Sequence, residues 1–466
     1  MPTPTNWTKH QPELAYNPDR DEYLVVWSDC RNYPGSPYAC GGYGSTQSAD
    51  IYGRRFSAAT GNWVGGEIAI ATGNKDQQLP FVAYNPTNQV YLVTWQQHAA
   101  DFLAQYPQNY EGYFGYYGYD IYSRLVSGSG EALGTARLLS KKFTVPPDPT
   151  DKDDHQWDPN VAYSPATNTF LVGWHDYRTR GQFPNLYKPA DGRWHTYKDL
   201  YLQQVSPSNE PIGPNKPIAL NPQNTIYQYY GHAERLQQYV DMAYDPSRQR
   251  FLMVWEDDRA GTGNQYGTEY SCATYNPCQY EALDLNIWGG FFDGNGDPIE
   301  SPPNFPIYAG AGPQRFARVA YNPQDDEYLV VFQSFDIATD PNWRKVYAQR
   351  VGGDGTLLGA PIVIDGTAVD YTGYTSAMPK PDVAYNSVNN QYLIVWGKRA
   401  GGYSPTLAYR TVSFNGSQVQ LGPINNPGGA AWEARVAYNW KRNQFLVVYY
   451  YTAGGFNQVG FRVVGG

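Results

Sequence analysis

Three observations predict an all-β chain built as one ring of repeats. The first is composition. Of 466 residues, 43 are tyrosine, 47 glycine and 36 proline, and only 17% are charged. That balance belongs to a protein of strands and turns rather than a helical or disordered one. The second is a hairpin motif that recurs seven times, and the third is a further strand motif that follows each copy. Together they predict a seven-bladed β-propeller, with four-stranded antiparallel blades in a single domain.

The hairpin reads LAYNPDRDEYLVVW at 14–27, VAYNPTNQVYLVTW at 82–95 and VAYSPATNTFLVGW at 161–174. It returns as MAYDPSRQRFLMVW at 242–255, VAYNPQDDEYLVVF at 319–332, VAYNSVNNQYLIVW at 383–396 and VAYNWKRNQFLVVY at 436–449. The tyrosine of AY always lies 11 residues before the closing aromatic, from Tyr16 and Trp27 through to Tyr438 and Tyr449. An insertion-free unit of this kind is one tight hairpin. Asn-Pro starts the turn, because proline presets φ and asparagine bonds locally. The flanking runs are apolar at nearly every position, so these strands should be buried on both faces.

The second motif appears as DIYGRRFS at 50–57, DIYSRLVS at 120–127 and KVYAQRVG at 345–352, with looser copies in the other units. Six of the seven copies continue through a short turn into another strand, such as GEIAIA or GAPIVI. The expected blades are approximately 10–72, 78–141, 157–221, 238–308, 315–365, 380–426 and 433–466. The seventh unit ends after its third strand, and residues 2–7 could supply only a short closing strand.

A net charge of −9 and a pI near 5.2, with no run of lysine or arginine, argue against a nucleic-acid partner. No apolar run approaches the ~18–20 residues that span a bilayer. Four cysteines form two local pairs, Cys30/Cys40 and Cys272/Cys278, with no histidine in either loop. Two short disulfide-closed loops are the expected reading, and they imply an oxidising compartment. A secreted or periplasmic location is therefore expected, although the opening residues carry no apolar leader segment.

Call the four strands of a blade A to D from the axis outwards. The B–C connection and the D-to-A approach then share one face, while the A–B and C–D turns share the other. B–C connections are long in the first four units, at about 28–50, 96–119, 175–198 and 256–284, and short in the last three. The D-to-A approaches are long at 141–158 and 221–239, and moderately so at 365–380. The C–D turns read as short, so length variation is expected on one face, where scaffolds bind things. These insertions are rich in tyrosine, including Tyr106, Tyr110, Tyr117, Tyr187, Tyr229 and Tyr230, with Trp194. Amphipathic rings with few rotamers suit a groove for sugar rings, though long loops also use tyrosines as small cores of their own.

Two of the six histidines flank the third hairpin, in DDHQWDPNVAYSPATNTFLVGWHDYR at 153–178. His155 precedes strand A and His175 follows strand B, so both fall at the loop-bearing end of one blade. Polar residues at the other approaches (His10, Gln78, Arg235, Gln238, Arg315, Lys380 and Glu433) and after strand B (Asp29, Arg31, His98, Asp257, Lys398) read mostly as solvated or paired rim groups. Two histidines with nearby tyrosines and arginines suit β-elimination on a uronic acid. That reaction needs a base for the proton α to the carboxylate, a cation for the carboxylate, and an acid for the leaving oxygen.

The pattern Asp153-Asp154-His155, Pro159 and His175 resembles one blade of the propeller-fold polysaccharide lyases, in particular the ulvan-lyase type. The resemblance implies that His155 and His175 line a cleft completed by a tyrosine and an arginine of the next blade. Tyr230, Tyr244, Arg235 and Arg259 all stay open for those places. The expected catalytic set is His155, His175, Tyr230 and Arg259. The expected substrate-binding set is Arg178, Arg235, Tyr229, Trp194, Tyr117 and His98. The expected partner is a polysaccharide or oligosaccharide.

Three alternatives remain. A glycoside hydrolase would need two spaced carboxylates, with Asp153, Asp154, Asp176, Glu256, Asp257 and Asp258 as candidates. A lectin-like or structural propeller would bind without cleaving. No motif calls for a cofactor, but Asp153, His155 and His175 could hold a divalent metal. DGNGD at 293–297 reads as turn chemistry rather than a calcium loop.

Overall fold

A computed structural model of the chain describes residues 7–32, 49–73, 75–98, 119–140, 156–176, 199–218, 237–257, 285–299, 304–310, 313–335, 343–370, 380–399, 405–425 and 430–466. They form seven antiparallel sheets, six of four strands and one of three, each in sequence order from the axis outwards. The protein is an all-β seven-bladed propeller. Among the described residues no helix is long and apolar enough to cross a membrane.

Strand B carries the core. In the first blade, β2 (Glu22–Asp29) is buried at every position. Successive side chains of a strand point to opposite faces, and here each face meets a different neighbour. Leu24 and Val26 join a cluster with Tyr91, Val93 and Trp95 of the second blade. Tyr23, Val25 and Trp27 join one with Leu446, Val448 and Val459 of the seventh. The same division gives a cluster between every consecutive pair of blades, so the ring closes by side-chain packing.

The closing tryptophan of the hairpin is anchored two residues on. Trp27, Trp174 and Trp255 donate from Nε1 to Asp29, Asp176 and Asp257 at 2.9, 2.8 and 3.1 Å. These three aspartates are 0% exposed. Of the sequence reading of Asp29 and Asp257 as solvated or paired rim charges, solvation is corrected: both are buried acceptors, and Asp29 is paired with Arg31.

The A–B turn explains the fixed spacing. Asn17 Oδ1 accepts the backbone N–H of Asp19 and Arg20, and Asn322, Asn386 and Asn439 repeat the arrangement. The last turn residue is left-handed in every blade without being glycine, as at Asp21, Gln89 and Asn168 with φ near +52°. The AY tyrosine often seals the turn: Tyr16 Oη donates to Asp21, Tyr163 to Asn168 and Tyr438 to Asn443. Turns are then tied to their neighbours, as Asn85 is to Asn168, Asn386 to Asn443, and Asn439 to Asp21 across the ring closure.

Strand order puts all B–C and D-to-A connections on one face, the loop face, and the A–B and C–D turns on the other, the turn face. One departure stands against the expectation of uniformly short C–D turns. In the fourth blade eleven residues, 294–304, separate β15 (Asn286–Asp293) from β16 (Phe305–Tyr308). The seventh blade has three strands, β25 (Trp432–Asn439), β26 (Gln444–Ala453) and β27 (Phe456–Gly465). Closure by residues 2–7 lies outside the described residues except at Trp7, whose carbonyl accepts Gln458 Nε2 at 3.1 Å.

Candidate functional site

Six innermost strands carry a β-bulge near their loop-face end. At each bulge a non-glycine residue is left-handed: Gln11, Leu79, Asp158, Tyr239, Phe316 and Glu433, with φ between 46° and 57°. Such a backbone costs about 1–2 kcal/mol per L-residue, and the preceding blade offsets it. Gln11 Oε1 accepts the Leu79 N–H at 3.2 Å, Gln96 Oε1 that of Asp158 at 3.2 Å, and Glu256 Oε1 that of Phe316 at 2.6 Å. Glu256, a hydrolase candidate by sequence, is therefore fully buried and committed as a clamp between blades, also taking Gln238 at 2.8 Å. Burial pushes its carboxyl up, against the pull of Arg315.

The bulges surround an axial cavity of about 610 Å³, counting its solvent-filled mouth, to which all seven blades contribute. Its wall has two characters. Leu79, Pro80 and Phe81 from the second blade, with Tyr239, Val240 and Phe316 from the fourth and fifth, make an apolar sector. Lys380, Glu433, Arg435 and Glu13, from the sixth, seventh and first blades, make a charged one. Glu13 Oε1 accepts Arg435 Nε at 2.5 Å and pairs with Arg318 Nη2 at 3.4 Å. Arg318 also reaches Asp241 at 3.3 Å and lies 5.2 Å over the Phe81 ring. Burial pushes Glu433 up, but the Lys380 ammonium bonded to it and the nearby Arg435 outweigh this and hold it below the usual carboxylate range. Asp382, whose carboxylate accepts the Val436 N–H at 2.8 Å, is pushed up to about 6 by burial despite Arg318 and Arg435.

An arc of rings leads across the blades to the cavity's Tyr239 and Phe316. His98, at the end of β6 (Val90–His98), stacks on Tyr119 at 4.2 Å and 28°. Burial, helped by Lys75, pushes this imidazole down to about 4, so it is neutral near pH 7. Tyr119 Oη donates to Asp76 at 2.6 Å, and burial pushes Asp76 up to about 6. Tyr119 meets Trp157 edge-on at 6.4 Å, Trp157 meets His175 at 5.7 Å, His175 meets Tyr239 at 6.0 Å, and Tyr239 meets Phe316 at 5.0 Å. The arc thus crosses from the second blade to the fifth at their loop-face ends.

His175 lies in β10 (Thr169–Asp176), opposite Trp157 of β9 (Gln156–Ser164). It is 1% exposed, with Nδ1 3.6 Å from Asp158 Oδ2, a charge-pair distance too long for a hydrogen bond. Gln156 pairs with Asp176 at the loop-face end of this hairpin. His155 itself, Tyr230, Arg259, Arg178, Arg235, Tyr229, Trp194 and Tyr117 lie outside the described residues, as do Asp153, Asp154 and Asp258. So do Cys40, Cys272 and Cys278, while Cys30 is 3% exposed. Among the described residues no three His, Cys, Asp or Glu side chains gather as a metal site. Asp293 uses its carboxylate to accept the Asn295 and Asp297 N–H groups at 2.9 Å, which is turn chemistry.

The axial residues Asp158, Tyr239, Phe316, Arg318 and Arg435 were not singled out as site residues from sequence, Arg315, Lys380 and Glu433 being read only as rim groups. A signal existed. Aligned on AY, the residues five and three before the tyrosine change type from blade to blade, while the hairpin after them hardly changes.

No protein family and no curated protein matches the chain. Among solved structures it is similar to the intramolecular trans-sialidase from Ruminococcus gnavus, at 8% identity over 98% of this chain and 94% of that one, with a TM-score of 0.45. It is similar to the leech intramolecular trans-sialidase at 8% identity over 98% and 68%, TM-score 0.46. It is also similar to the endo-arabinase from Bacteroides thetaiotaomicron at 11% identity over 83% and 93%, TM-score 0.35. Likenesses this distant carry no argument about substrate or reaction. The propeller assignment rests on the strand order and the seven inter-blade clusters.

Proposed function

We propose that the protein is a secreted polysaccharide-active propeller that holds a saccharide across the loop-face mouth and cleaves a uronate-containing chain by β-elimination. The observation that carries the binding half is the arc from His98 through Trp157 to Tyr239 and Phe316, the last two of which line the axial cavity. Aromatic walls with a few polar groups are what a sugar ring, with its C–H faces and hydroxyl edges, requires. The eliminative half is supported by the sequence around His155 and His175. In this reading His155, Tyr230 and Arg259 touch the substrate, while the buried His175, facing Asp158, orients the rings on either side of it.

A lectin-like role is the second reading, and one observation favours it. At the mouth, Arg315 and Lys380 already have acidic partners in Glu256 and Glu433. The test is a panel of neutral and uronate polysaccharides, scored for retention on affinity gels and for the ultraviolet absorbance of an unsaturated uronate. We expect retention with absorbance, and loss of the absorbance in His155→Ala at unchanged melting temperature. Retention without absorbance would select the lectin, and no retention of any polysaccharide would overturn both readings.

A further inference from the structure

We propose that the axial cavity is itself a subsite for one acidic sugar unit, with Arg435 meeting the carboxylate and the Tyr239–Phe316 wall meeting the ring. This rests on the saccharide reading above and assigns carboxylate recognition to the axis rather than to the loops.

Arg435 is only 8% exposed, yet it lines that cavity. Its Nε donates to Glu13 and its Nη1 to the Ala434 carbonyl at 3.0 Å. Among the described residues Nη2 has no protein acceptor. A guanidinium presents planar, paired donors that suit a carboxylate, and here one edge of that fork is left to whatever fills the cavity. Across from it stand Tyr239 and Phe316, rings 5.0 Å apart and tilted by 59°. The bonded Lys380–Glu433 pair lies on the charged side with a donor and an acceptor at hand for hydroxyls. An acid with one apolar face and several hydroxyls satisfies all three features. A neutral sugar leaves Nη2 unmet, and a simple inorganic anion leaves the rings unused.

Glu13 makes the proposal sharp, because it competes for the same guanidinium. The experiment measures affinities for glucuronate and galacturonate, for their methyl esters, and for glucose, by titration calorimetry on the full chain. The unmodified protein should prefer each acid to its ester by about tenfold. Arg435→Gln should erase that preference while leaving ester and glucose binding alone. Glu13→Gln, which frees the guanidinium, should raise acid affinity severalfold, an effect that a merely destabilised fold would not produce. Equal affinity for acid and ester, or a preference that survives Arg435→Gln, would overturn the axial subsite. Polysaccharide retained in either case would leave the proposed function standing, whereas a protein that holds no saccharide would lose both.

Discussion

The two faces of this ring are made from the same seven hairpins and have opposite characters. On the turn face every blade repeats one solution. An asparagine or aspartate folds the turn in most blades, a left-handed residue ends it in all, and hydrogen bonds tie turns to their neighbours. On the loop face six of the seven inner strands carry bulges whose side chains differ from blade to blade, around an open cavity. The contrast separates two uses of strained backbone. Left-handed residues on the turn face complete a connection, whereas those on the loop face deliver Leu79, Asp158, Tyr239 and Phe316 to the axis. Strain that persists at variable side chains is the pattern expected of a site.

The comparison can be broken first where the turn face closes the ring. Asp21 accepts Tyr16, Asn439 and Arg442 at once. Asp21→Ala leaves those donors without their acceptor and should cost about 2–3 kcal/mol in denaturant unfolding, with saccharide binding by the folded protein unchanged.

A loss nearly as large is expected from pH on the other face. Asp382 is pushed from an unfolded value near 3.9 to about 6. A carboxyl raised in the folded state binds its proton more tightly there. Its contribution to stability is therefore complete below about pH 4 and disappears as pH rises through about 6. The shift is worth roughly 2–3 kcal/mol. Urea midpoints taken between pH 4 and 7 should fall more steeply in the unmodified protein than in Asp382→Asn. Equal slopes would remove Asp382 from the account.

How much of this could be read beforehand follows from the same contrast. The turn face is written in local chemistry, namely the Asn-Pro turn, the AY tyrosine and the closing tryptophan, so the sequence is enough to count blades and order strands. It also places His98 and His175 at the loop-face ends of their strands, where the structure has them. The axial site is assembled from seven segments far apart in the chain, and pairings such as Glu13 with Arg435 appear only once the ring is closed. Burial misled as well. In a linear reading Asp29 and Asp257 look like rim charges and Glu256 like a hydrolase candidate, because the sequence does not show that the tryptophan two residues before, or a neighbouring bulge, will claim them.

Smaller effects sharpen the contrast. Trp157→Leu, within the arc, should weaken saccharide retention on affinity gels by about tenfold, or 1.4 kcal/mol, while moving unfolding by only about 1 kcal/mol. Glu210→Ala, at the outer rim, breaks an exposed pair with Arg137. It should change stability by less than about 0.5 kcal/mol and leave binding untouched. A clear effect there would mean that the outer surface takes part.

The most direct test of the loop face as the working surface uses two tryptophans. Trp157 sits in the arc, and Trp440 stands 54% exposed in an A–B turn. Oxidative footprinting with a saturating uronate oligosaccharide should protect Trp157 and leave Trp440 as reactive as before. Protection of Trp440 with Trp157 unchanged would contradict the account.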